Sequence, residues 1–314
     1  MRTQQGPHTT GMTAADIQDE CQKNLDDIVL RSLKLGINHF ETAFMYGCSE
    51  LMYGVTIKKA ITKWGYRRSD LIIQDKLPLF TRMSPEDFRK GIDKCFARMD
   101  MTAEEEYFDL FTFHCLMYED QLEWLTGGLM EVVEEYRARG KIRWVGFSTH
   151  AMTPAIVQLC DSGLFDFINV HYHFFGSFTS SGTGPHKELG GLRANWPVLE
   201  AAKRNDMGVF IISPTVSASL DIYISVVRQS QLCGFLYLLC AQDKGGQLYK
   251  PPKKLADACA PLSPIEFHNL WLLQHPEIHT LVVGAARASV SKITDHIHTC
   301  TISSSSFFAI LDYR

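Results

Sequence analysis

The chain has 314 residues, 46% of them hydrophobic and 21% charged, with a formal net charge of −4. That length suits one large α/β domain or two ordinary ones, and the negative balance argues against a nucleic-acid surface as the main task. Nine cysteines without a C-x-x-C pair fit a reducing compartment, and neither a signal-peptide core nor a bilayer-spanning apolar run occurs, so a soluble cytoplasmic protein is expected.

Helix-period and strand-period segments alternate along the chain. "DECQKNLDDIVLRSLKLG" reads as an amphipathic helix, with Leu25, Ile28, Val29 and Leu33 near helical spacing and Gly36 as its stop. "NHFETA" is a short strand and "SELMYGVTIKKAIT" a helix; "DLIIQDKL" is an apolar run ending in Lys76. Ser84 caps "SPEDFRKGIDKCFARM", with Pro85 at the first helical position and acids near the positive end of the dipole. "YFDLFTFHC", "IRWVGFST", "FDFINVHY", "MGVFIISP" and "HTLVVGAA" read as further strands. Helices "WLTGGLMEVVEEYRARG", "TPAIVQLCDSG", "NWPVLEAAKRND" and "LSPIEFHNLWLLQHP" lie between them. Short strands that are apolar at nearly every position, separated by helices, mark a parallel sheet buried on both faces. The spacing predicts a (β/α)₈ TIM barrel in which the first strand is missing, since only the polar "MRTQQGPHTTG" precedes the first helix. A doubly wound open sheet is the runner-up, disfavoured because no G-x-G-x-x-G follows the first strand.

In such a barrel the active site gathers at the C-terminal strand ends. Glu41, Lys76 and His114 are expected to close three successive strands, with Tyr46 in the loop after Glu41. A lysine there is ordinarily a solvated rim residue, and a histidine ordinarily hydrogen-bonded scaffold; the four gain meaning by converging. A phenol titrates near pH ~10. An adjacent ammonium makes it a better acid, a carboxylate holds that ammonium charged, and an imidazole can direct a carbonyl oxygen toward the phenol. "HYHFF" puts His171 and His173 on one face of a strand, but no carboxylate or cysteine stands at ligand spacing, so no metal site is expected.

The successive stretches "GINHFETAFMYG", "QDKL", "FDLFTFHC" and "GKIRWVGFSTH" resemble the signatures of the aldo-keto reductases, in order and spacing, from about Asp19 to about His296. The likeness is greatest to bacterial and fungal members carrying "FETA" and a later "ISPSDKGG". It implies a (β/α)₈ barrel that reduces aldehydes or ketones with NADPH, NADH being possible, and that takes a small-molecule carbonyl substrate without nucleic acid or membrane. It assigns Tyr46 as general acid, Lys76 as the lysine that sharpens its acidity, His114 as the group orienting the carbonyl, and Glu41 as the lysine's partner where most members have aspartate. Ser148, Thr149 and Asn169 fall where the family holds the nicotinamide amide, and Ser213 lies near the pyrophosphate. Gly284 and Arg287 follow the last strand, where an arginine suits a 2′-phosphate. An NADPH-binding sensor with little turnover is the alternative.

One segment breaks the family pattern. "IISPT" and "DKGG" are separated by Val216 to Gln242, an insertion after the seventh barrel strand with only Asp221 and Arg228 charged. A lid is one reading; an untranslated stretch read through in error is the favoured one, which would make the chain an inactive product of a faulty gene model. The tail from about residue 297 lacks helical period. Residues 1–314 are otherwise expected to form a single barrel domain.

Overall fold

In the computed structural model, the structure describes residues 13–118, 120–173, 195–212, 248 and 251–284. The insertion at 216–242, the tail, Ser213 and Arg287 lie outside them.

Among the described residues seven strands follow one another in chain order across a single sheet: β1 (His39–Glu41), β2 (Ile72–Pro78), β3 (Phe108–His114), β4 (Ile142–Ser148), β5 (Phe167–Val170), β6 (Gly208–Ile212) and β7 (Thr280–Val282). The registered pairs β1–β2, β2–β3, β3–β4 and β6–β7 are all parallel. Parallel neighbours require crossovers. These carry α2 (Ser49–Thr62), α3 (Pro85–Arg98), α5 (Met130–Ala138), α6 (Thr153–Asp161), α7 (Trp196–Arg204), α8 (Lys253–Cys259) and α9 (Pro264–Leu273), while α1 (Asp19–Lys34) precedes β1 and the short α4 (Gln121–Trp124) precedes α5. Among the described residues no strand precedes α1. This sequential parallel topology is that of a (β/α)₈ barrel, as the hydrophobic pattern predicts.

Two compact units divide the fold. The first holds α1 to β4 and the start of β5, Phe167 and Ile168; the second holds α6, the end of β5 and the elements from α7 to β7. In the first unit every residue of β3 is buried. Its phenylalanines pack against α3: Phe88 stacks on Phe113 at 5.2 Å, and Phe96 stacks on Phe108 at 4.2 Å. Each such ring contributes about 1.5–3 kcal/mol by leaving water. The predicted caps form: the Ser84 hydroxyl accepts from the Asp87 N–H at 3.1 Å, and Ser263 and Glu266 make a reciprocal capping box.

One element differs from expectation. "WLTGGLMEVVEEYRARG", read as one helix, is broken between α4 and α5 by a π-type turn over Leu125–Leu129. Gly128 takes φ 112° there, a conformation that costs a side-chain-bearing residue dearly, so the paired glycines act as a hinge point in the chain path rather than as weak helix formers.

Candidate active site

The β1–β2 register sets Glu41 opposite Gln74, and that of β2–β3 sets Lys76 opposite Thr112 and Pro78 opposite His114. With a side-chain period of two, Gln74 and Lys76 share one face of β2, while Asp75 points to the other. Glu41 and His114 do close their strands; Lys76 sits two residues before the end of β2. Lys76 is not the solvated rim residue that a lysine at a strand end ordinarily is: its side chain is 2% exposed and that of Glu41 9%.

Lys76 Nζ donates to Glu41 Oε1 in a close ion pair. The same ammonium lies 4.7 Å from the centre of the Tyr46 ring, and Tyr46 meets His114 edge-on with ring centres 5.6 Å apart. All four catalytic candidates of the sequence thus come together within the first unit. Burial, the largest influence on Glu41, would raise its carboxyl; the charge and hydrogen bond of Lys76 outweigh it, and the group is held below its ordinary value. Beneath the ion pair, His39 Nε2 bonds Gln74 Oε1 at 2.9 Å and Gln74 Nε2 donates to Thr112 at 2.8 Å. Burial, the main cause, holds the His39 ring neutral by lowering its pKa.

Tyr46 is fixed by its backbone. The loop after β1 continues the ladder, the Thr42 N–H donating to Gln74 O and the Phe44 N–H to Lys76 O, both at 2.9 Å. Tyr46 N–H then donates to Ala43 O at 2.9 Å, and Gly47 reverses the chain at φ 62°. Arg98 Nη2 donates to the Gly47 carbonyl at 2.7 Å, and Arg98 Nε to Glu50 Oε2 at 2.5 Å. Arg98 and Glu50 are supporting residues that the sequence reading missed, because "SE" had signalled only a helix start.

Ser148 and Thr149 are buried where β4 ends. Ser148 Oγ accepts from the Cys115 N–H at 3.0 Å, and Thr149 Oγ1 donates to Leu116 O at 2.6 Å. These bonds hold the loop after β3, in which Cys115 adopts φ 62°. Ser148 keeps its own O–H to donate. In the second unit Asn169 is fully buried at the end of β5, and Gly284 is exposed after β7.

The sequence profile of the Aldo/keto reductase family matches residues 10–310. The chain belongs to the aldo/keto reductase family. An NAD(P)H-dependent 6′-deoxychalcone synthase of Glycine max is 28% identical over 144 residues, 42% of this reductase-family chain and 44% of the soybean protein. An aldose reductase of Encephalitozoon cuniculi is 32% identical over 106 residues, 34% of this chain and 32% of that one. The chain therefore aligns with less than half the length of these curated relatives. Among solved structures, an aldo-keto reductase of Klebsiella pneumoniae in complex with NADPH superposes with a TM-score of 0.58 at 15% identity, over 98% of this chain and 89% of that one. The holo form of a Bacillus halodurans aldo-keto reductase gives 0.58 at 16%, over 90% and 82%. At these identities the likeness carries the fold.

The "HYHFF" histidines belong to a longer chain of imidazoles within the second unit. His150 Nδ1 bonds His171 Nε2 at 2.8 Å, His171 Nδ1 bonds His173 Nε2 at 3.4 Å, and His173 Nδ1 bonds His268 Nε2 at 3.2 Å. No three of them converge on a point suited to a metal. Among the described residues the one group of that kind is Glu50, Asp75 and Cys95, all buried in the first unit.

No helix among the described residues is long and apolar enough to cross a membrane.

Proposed function

We propose that this protein reduces an aldehyde or ketone to an alcohol with a nicotinamide cofactor, preferentially NADPH. The single observation that supports it most is the buried ion pair of Lys76 and Glu41 set against the Tyr46 ring. A buried pair of that kind adds little net stability, but it presents a fixed positive charge beside a phenol.

Tyr46 is the proton donor in this reading. Glu41 keeps Lys76 ionised and aimed; Lys76 favours the phenolate and so eases proton release. His114, edge-on to Tyr46, offers an imidazole to steer the carbonyl oxygen. A reduced nicotinamide, when bound, supplies the hydride. Its carboxamide is matched by neutral donors and acceptors of the kind that Ser148, Thr149 and Asn169 carry, and Ser148 retains an O–H for it. The family resemblance adds Ser213 for the pyrophosphate, Gly284 for the phosphate turn and Arg287 for the 2′-phosphate. Where charge builds on the carbonyl oxygen, Tyr46 would give its proton to that oxygen, leaving an alcohol and a phenolate that Lys76 would stabilise.

Tyr46→Phe tests this reading. Carbonyl reduction should fall by a factor of at least ~10² in turnover, with NADPH binding by fluorescence titration nearly unchanged. Retained turnover with an aromatic aldehyde overturns the role of Tyr46. Nucleotide binding without turnover in the unmutated protein overturns the enzyme in favour of a sensor.

A further inference from the structure

Behind the ion pair lies a second buried charge cluster to which the proposed chemistry assigns no part. Asp75, on the outer face of β2, and Glu50, in the first turn of α2, are both 0% exposed. One oxygen of each carboxyl and the sulfur of Cys95 on α3 all lie within 4.8 Å of one another. Glu50 Oε2 accepts from Arg98, and Asp75 Oδ1 accepts from the Lys76 N–H at 2.8 Å. The remaining oxygens, Glu50 Oε1 and Asp75 Oδ2, have no hydrogen-bond partner among the described residues. Two ionised carboxylates cannot bond each other, and leaving both oxygens bare and buried is expensive. A single proton between them satisfies both at once. It also balances the charge: two carboxyls, one proton and the Arg98 guanidinium sum to zero.

We propose that Glu50 and Asp75 share one proton, and that this protonated pair is a positioning element for the two residues of the proton-donating step. Its two ends reach them separately. Through Arg98, Glu50 holds the carbonyl of Gly47, next to Tyr46; Asp75 holds the backbone of Lys76. The groups facing the pair are Arg98 and Cys95 from α3, and Lys76, itself paired to Glu41, from β2. Burial is the largest influence on both carboxyls and raises both, with Arg98 opposing it at Glu50. The same burial keeps Cys95 a neutral thiol. Loss of the shared proton at high pH places a new negative charge behind Lys76. That charge opposes formation of the Tyr46 phenolate and repels the two carboxyls apart, loosening both anchors.

The kinetic arm of this inference rests on Tyr46 being the proton donor; the spectroscopic arms do not. In the full-length protein at neutral pH, infrared spectroscopy should show a protonated-carboxyl C=O band that is absent from both Asp75→Asn and Glu50→Gln. In each variant the new amide can donate the bond that the proton supplied. Absence of the band, or its persistence in both variants, overturns the shared proton, as does stoichiometric zinc by elemental analysis that is lost in Cys95→Ser. Tyrosinate absorbance, isolated by subtracting the Tyr46→Phe spectrum, should rise at lower pH in Asp75→Asn than in the unmutated protein, because the amide cannot ionise. An identical rise in the two proteins overturns the positioning role. In turnover, Asp75→Asn should stay within about threefold of the unmutated kcat and lose its alkaline fall, while Asp75→Ala, which breaks both bonds, should drop at least tenfold. Equal kcat values for the two variants at every pH overturn it as well. Should Asp75→Asn fail to fold, Glu50→Gln carries the same tests from the other side of the pair.

Discussion

In the first unit, Lys76 and Glu41 form an ion pair though almost fully buried, and Lys76 holds the Glu41 carboxyl below its ordinary value. In the second, His150, His171, His173 and His268 line up through imidazole-to-imidazole hydrogen bonds, and burial drives every ring toward neutrality. His268 is pushed down to about 3 and half-buried His150 to about 4. A neutral imidazole has one donor and one acceptor, so three successive N···N bonds fix all four tautomers in the same sense. The contrast separates two uses of buried polarity. A retained charge costs desolvation and is justified by what it does to a neighbour; a neutral chain costs little and serves to hold strand ends and a helix together.

The largest effect should come from removing one member of the charged pair. Lys76→Met leaves Glu41 buried without its cation, and breaking such a pair from one side costs about 3–5 kcal/mol. Turnover should fall at least ~10²-fold, since the charge beside Tyr46 is gone. Adding Glu41→Gln should restore much of the thermal stability and none of the activity. Recovery of both together in the double variant would show that the charge is structural, erasing the distinction between the two regions.

Acid should act on the second region first. An unfolded histidine takes its proton near pH ~6.5, whereas the folded His268 remains neutral to about 3. Between those values the unfolded state binds more protons, so stability falls as pH falls. For one such imidazole the loss from pH 7 to 5 is about 2 kcal/mol. Glu41 behaves differently: its lowered carboxyl contributes stability above the ordinary glutamate range, lost only as pH falls below it. Urea denaturation at pH 7 and 5 should show the early loss, and His268→Gln should shrink it. A variant with an unchanged pH slope would mean that the imidazoles are not kept neutral by the fold.

How much of this was legible in the sequence follows from the range of each signal. Glu41, Tyr46, Lys76 and His114 stand at strand ends of a βα repeat, so the barrel topology alone brings them together, and their chemistry is recognisable by residue type. That Lys76 would be buried was not legible, because its burial depends on loops and neighbouring strands rather than on "QDKL". Asp75 sits in the same four letters and passed unnoticed. Glu50, which faces it, and Arg98, which donates to Glu50, come from two different crossover helices, and no local period announces a contact between them. Of the histidine chain, only the i, i+2 pair of His171 and His173 was visible; His150 and His268 join from elements distant in sequence.

The smallest expected effect probes the length of the glutamate arm. Most family members carry aspartate where this chain has Glu41. Strand pairing fixes the backbone of residue 41 opposite Gln74, so Glu41→Asp withdraws the carboxylate by about one C–C bond, ~1.5 Å. Lys76 has a flexible stem that can follow in principle, but its side chain is 2% exposed and packed between the ion pair and the Tyr46 ring. Following the carboxylate would carry the ammonium away from Tyr46; staying would stretch the ion pair. Either response should cost about 1 kcal/mol, seen as a threefold to tenfold loss in kcat and a shift of a few degrees in thermal unfolding. The stability of the second region's histidine chain should not change, so the acid-induced loss between pH 7 and 5 should match that of the unmutated protein. A loss in kcat as large as that of Lys76→Met would mean that the ammonium has no freedom at all. Full activity would mean that the ion pair tolerates either acid, and that the charge on Lys76, rather than its exact placement, is what the site requires.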